Sequence, residues 1–107
     1  MSNDAQYLID MFNKQLDMFS NLMHDKGLRR DKLDKYSYSS TAIRWVLNDI
    51  KECTSYIDVA HIRQILGLHM DMYESFKTHS EHEHKNFDCA MKAIMYLYSL
   101  TEVYVVD

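Results

Sequence analysis

A chain of 107 residues that is 47% hydrophobic and 26% charged, with a net charge of −4, has the balance of one globular domain. That balance excludes a disordered segment, and the acidic sign argues against a general nucleic-acid binder, which needs a basic field to neutralise phosphates. With no proline and two glycines the chain lacks the usual punctuation of turns and sheets, which predicts an all-α bundle of about four helices in one domain over residues 1–107.

The first helix is expected from Asp4 to Lys26. Leu8, Met11, Phe12, Leu16, Phe19, Leu22 and Met23 recur at three and four residues, with Asp10, Asn13, Asp17 and Asn21 opposite. Tyr7, Ile9 and Met18 widen the apolar stripe beyond the ~100° that a peripheral helix needs. The helix is therefore expected to be central in the bundle or shared with a second copy, and the latter predicts a homodimer. Gly27 has the position of a left-handed C-terminal cap.

Residues 27–39 read as one long, charged connection, with Ser39, Ser40 or Thr41 capping the second helix. That helix carries Ile43, Val46, Leu47, Ile50, Cys53 and Ile57 on one face, with Trp45 and Tyr56 off the stripe. Asp58 is the expected cap of a third helix lined by Val59, Ile62, Leu66, Met70 and Tyr73. Gly67 in its middle suggests a kink or a close crossing. Ser80 and Glu83 have the spacing of a capping box for a fourth helix bearing Phe87, Ala90, Met91, Ile94, Leu97, Tyr98 and Thr101. Residues 103–106 are expected to end that helix rather than form a strand.

No apolar run approaches the roughly 20 residues of a membrane span. The start Met1-Ser2-Asn3-Asp4 lacks a basic, apolar leader, so a cytoplasmic protein is expected. Cys53 and Cys89 fall on apolar stripes and read as small, reduced, buried hydrophobes, a disulfide between them being the alternative.

Four groups of residues invite a chemical reading. His79, His82 and His84, with Glu81, Glu83 and Asp88 nearby, are suitable metal ligands without a recognised zinc spacing; the plainer reading is a solvated helix start. His69 falls inside the third helix's apolar stripe, where it needs a hydrogen-bond partner or lines a pocket. Arg29, Arg30, Lys32 and Lys35, followed by Tyr36 and Tyr38, mix cations with stacking rings as an anionic-partner patch would, though Asp31 and Asp34 interrupt them. Finally, eight methionines and eight tyrosines are a surplus of the residue types that build adaptable interfaces, and Trp45 joins them off-stripe.

The chain has no P-loop, no Gly-x-Gly-x-x-Gly and no Gly-x-Ser-x-Gly elbow, so neither an enzyme nor a cofactor is expected. In size, acidity and helicity it is similar to the short acidic helical inhibitors that bacteriophages encode, anti-CRISPR and anti-sigma proteins among them. That resemblance implies a non-enzymatic protein that docks on a protein or ribonucleoprotein partner; the residues themselves offer Arg29, Arg30, Lys32, Lys35, Tyr36, Tyr38 and Trp45 as the docking surface. The alternatives are a binder of nucleotides or other small anions, with a pocket between helices or copies, and a histidine-cluster metal binder.

Overall fold

The structure is a computed structural model that describes residues 1–79 and 84–105, with His79 and His84 described by their backbone alone. Four helices follow in chain order: α1, Asn3–Leu22; α2, Arg30–Glu52; α3, Val59–His79; and α4, His84–Thr101, with a 3₁₀ turn at Glu102–Tyr104. No strand occurs among the described residues, so the chain is an all-α bundle, and residues 103–105 continue the helix end rather than pair as a strand.

α1 and α3 start at side-chain caps, whereas the Ser80 and Glu83 capping box expected for α4 lies outside the described residues. Ser2 caps α1, its hydroxyl accepting from the Ala5 N–H at 3.1 Å, while its own N–H donates to the Ile57 carbonyl at 3.0 Å and ties the N-terminus to the α2–α3 connection. Asp58 caps α3 as expected: its carboxylate accepts from the His61 N–H at 3.0 Å. That backbone bond first, and then the contact of the same oxygen with His61 Nδ1 at 2.9 Å, hold the Asp58 carboxyl below its ordinary range.

Two expectations about the α1–α2 connection are corrected. α1 stops at Leu22 rather than Lys26, and Gly27 is not left-handed, since no glycine has positive φ. The turn is closed instead by Asp25, whose side chain accepts from the Gly27 N–H at 2.9 Å and whose carbonyl accepts from Leu28 at 3.2 Å. Nor are residues 27–39 a connection, because α2 begins at Arg30 and absorbs most of them. Arginine, lysine and leucine are good helix formers, and Arg30 pairs with Asp34 one turn on at 3.5 Å. Ser39 and Ser40 therefore cap nothing. Both are buried inside α2, where Ser40 donates to the Ser37 carbonyl at 3.0 Å and Ser39 to the Cys89 carbonyl of α4 at 3.4 Å.

The core sits where α4 packs against both α2 and α3, and α1 lies chiefly on α2. Leu8 and Phe12 from α1, Ile43 and Val46 from α2, Ile62 and Leu66 from α3, and Ile94 and Leu97 from α4 have no exposed surface. Ile57 plugs the α2–α3 connection. α1 is thus peripheral, and its surplus of apolar residues shows at the surface as Tyr7, Met18 and Leu22.

The α3–α4 seam also carries a polar clamp. Arg63 donates to Thr101 Oγ1 and to the Tyr98 hydroxyl, both at 2.7 Å, and its guanidinium stands 4.3 Å from the Tyr98 ring centre. Gly67 marks no close crossing, because a Cβ built there meets nothing within 4 Å. The cysteines are also corrected. α2 breaks at Glu52 into extended backbone, which leaves Cys53 exposed, and Cys89 is only half-buried; both are free thiols.

Candidate functional site: an aromatic groove

α2 presents Tyr38, Thr41 and Trp45 at helical spacing along one edge. α3 adds Tyr73 and Phe76, and α4 adds Phe87 near its start; with Ser37 these enclose a groove of about 350 Å³. The rings support one another. Phe87 lies 5.3 Å from Phe76, 6.4 Å from Tyr73 and, edge-on, 6.5 Å from Tyr38 between centres. Such pairs contribute roughly 0.5–1.5 kcal/mol beyond the area they bury.

Exposure is graded across the groove. Tyr73 is buried at its floor, and burial pushes its phenol up to about 12. At the mouth, Trp45 is 46% and Phe76 40% exposed, large rings that a monomer leaves wet. Behind the Phe76–Phe87 pair, Lys77 bonds Asp88 at 2.6 Å and latches α3 to α4; this bond raises the Lys77 ammonium above its ordinary range. At the other end of the groove, one turn before Tyr73 and one turn after Trp45, His69 Nε2 meets Asp49 Oδ2 at 2.5 Å.

The residues expected to bind a partner therefore part company. Tyr38 and Trp45 come together in this groove. Tyr36 turns the other way and packs on Phe19 of α1, ring centres 5.9 Å apart. Arg29 and Arg30 project at the start of α2, within 3.4 Å of Asp31 and 3.5 Å of Asp34, so their charge is partly answered on their own helix. Lys32 is exposed, and Lys35 lines a shallow mixed-charge depression with Asp31, Asp34, Lys85, Asp88 and Lys92.

His69 is the hydrogen-bonded core histidine expected, although its Nδ1 is buried and has no partner among the described residues. Asp49 lies 19 residues beyond Arg30, roughly 28 Å along α2, so His69 and the basic helix start do not share one anion pocket. Of the three histidines proposed as metal ligands, His82 and the side chains of His79 and His84 lie outside the described residues. Among the described residues no cluster of metal-ligating side chains occurs.

Sequence reasoning missed Tyr73, Phe76 and Phe87 as site residues, since Tyr73 and Phe87 fall on apolar stripes and Phe76 at the edge of one. Their signal is the three-residue step from Tyr73 to Phe76, which sets one ring inside and the next at the edge. Chemically the groove accepts a large apolar or aromatic group, with the Ser37, Tyr38 and Thr41 hydroxyls available at its side. No protein-family model, curated protein or solved structure gives a significant match to the chain.

Proposed function

We propose that this is a non-enzymatic docking protein that inhibits or modulates a protein or ribonucleoprotein partner by seating an apolar side chain of that partner in the aromatic groove. The observation that carries the proposal is the pair of exposed rings, Trp45 and Phe76, at the mouth of a ring-lined groove. Tryptophan and tyrosine are enriched among the few residues that dominate binding energy at interfaces, and they do so in desolvated pockets of this kind. Small size, acidity and helicity support placing the chain among the short inhibitors of bacteriophage type, acting in the cytoplasm. The exposed Arg29–Arg30 end of α2 supplies a second, electrostatic contact.

Affinity capture with the tagged chain, quantified by mass spectrometry against two variants, tests this reading. Trp45→Ala, which removes the exposed ring that packs on no other aromatic residue among those described, is expected to lose the partner while the melting temperature barely moves. Arg29→Glu with Arg30→Glu is expected to weaken capture at low salt and to reduce its sensitivity to salt, because less attraction is left to screen. Undiminished capture by the groove variant would exclude the groove as the docking site, and undiminished capture by the charge variant would exclude the basic helix start.

A further inference from the structure

A second surface lies between α1 and α2. It is an open groove of about 540 Å³ whose floor includes Ile9 and Leu16 of α1, Leu47 of α2 and Ile57. Arg44 and Lys51 stand on its α2 side. They are exposed, seven residues apart, and neither is within ion-pairing distance of a carboxylate among the described residues.

The α1 side carries the opposite row. Gln6 and Asn13 line the groove, and one turn beyond each stands an exposed carboxylate, Asp10 and Asp17; the Gln6 side-chain amide donates to Asp10 at 3.1 Å. Asp10 and Asp17 are also seven residues apart and also unpaired with any cation among the described residues. Two turns of helix separate the charges in each row, about 10 Å in both cases.

A two-fold interface brings a patch onto itself, so that residue i of one copy meets residue j of the other and the reverse holds as well. A patch with an acidic row on one helix and a basic row of the same spacing on its neighbour satisfies that requirement. The apolar floor between the rows, Ile9, Leu16, Leu47 and Ile57, supplies burial. A stable dimer buries roughly 800 Å² per subunit. The α1–α2 face, about 30 Å long and two helices wide, is large enough.

We infer that the α1–α2 groove is the interface of a homodimer in which the Asp10–Asp17 row of each copy meets the Arg44–Lys51 row of the other. This inference stands apart from docking at the aromatic groove. Trp45 points about 100° around α2 from Arg44, so the dimer leaves both aromatic grooves open.

Charge reversal in the full chain, followed by sedimentation, is the test. The wild type is expected at twice its 12.8 kDa subunit mass at micromolar concentration. Arg44→Glu with Lys51→Glu makes both rows acidic, and Asp10→Lys with Asp17→Lys makes both basic; each change is expected to weaken self-association by about 100-fold or more, since opposed like charges cost several kcal/mol. Mixing the two variants in equal amounts is expected to restore the dimer, because every acidic row then faces a basic one. All four positions are exposed, and circular dichroism confirms the fold of each variant. A monomeric wild type, a dimer indifferent to both reversals, or a mixture that stays monomeric overturns the inference. A dimer broken by Trp45→Ala instead would move the interface to the aromatic groove and overturn it equally.

Discussion

His69 and Asp49 meet across the α2–α3 seam, Nε2 to Oδ2, with the imidazole 7% exposed and the carboxylate on the solvent side. The Nδ1 atom of the same ring is buried without a partner among the described residues, which leave the imidazole half satisfied. Asp49→Ala should therefore cost about 1–3 kcal/mol, the usual cost of stranding a buried polar group. His69→Leu removes the whole polar ring and should cost less than Asp49→Ala. Urea unfolding of the two variants decides the order, and the reverse order would mean that Nδ1 has a partner in solution.

Arg63 should matter more than a half-exposed arginine usually does. It is a donor to both Thr101 Oγ1 and the Tyr98 hydroxyl, and Thr101 is completely buried. Arg63→Ala should cost about 1–3 kcal/mol. Arg63→Lys should recover only part of that loss, because one ammonium cannot reproduce the planar two-pronged donor. Thermal unfolding of both variants checks the difference.

Tyr73 makes the bundle sensitive to alkali. Its folded-state pKa of about 12 lies above the ordinary 10.0, so the folded chain holds a proton that the unfolded chain releases. This contribution is fully present below pH 10 and is lost as pH rises towards about 12. Tyr73→Phe should move the alkaline unfolding midpoint upward, measured by circular dichroism against pH, and should remove one late-ionising phenol from the ultraviolet titration.

At the acid end, Asp58 acts in the opposite sense. Its folded-state pKa is lowered from 3.8, so its stabilisation is present above that value and fades as pH falls below it. Asp58→Ala should lower the melting temperature at neutral pH and make little difference in strong acid. An equal loss at both pH values would show that capping is not the cause.

Gly67 should be improvable. Its backbone is helical and a Cβ there meets no atom within 4 Å, so Gly67→Ala should raise stability by roughly 0.8–1 kcal/mol. A fall in the urea midpoint would reveal a contact at that position.

Much of the frame was readable before any coordinate. The apolar spacing of Leu8 and Phe12, Ile43 and Val46, Ile62 and Leu66, and Ile94 and Leu97 identified the core of all four helices, because burial follows the 3.6-residue period wherever a helix is continuous. The errors lie where local chemistry competes with that period. Residues 30–39 looked like a loop because they are charged and serine-rich; helix propensity and the Arg30–Asp34 pair outweighed the composition. Cys53 kept its place on the stripe, but the helix ended one residue earlier. The candidate site was half legible. Trp45 stood out as an aromatic residue off its stripe and Tyr38 as a ring beside the basic run, whereas Phe87 on its apolar stripe and Phe76 at the edge of another became visible as site residues only when α3 and α4 were set against α2.

α2 and α4, which pack on each other, both bury small side chains, Ser39 and Ala42 on the one and Ala90 and Ala93 on the other, and the Ser39 hydroxyl donates to the Cys89 carbonyl of α4. Side chains that small leave no slack, so a bulkier residue at any of the four would wedge the two rods apart. Trp45, Phe76, Arg44 and Lys51 all stand clear of that tight spine. Exposed positions such as Trp45, Arg44 and Lys51 are thus open to substitution without disturbing the packing of the core.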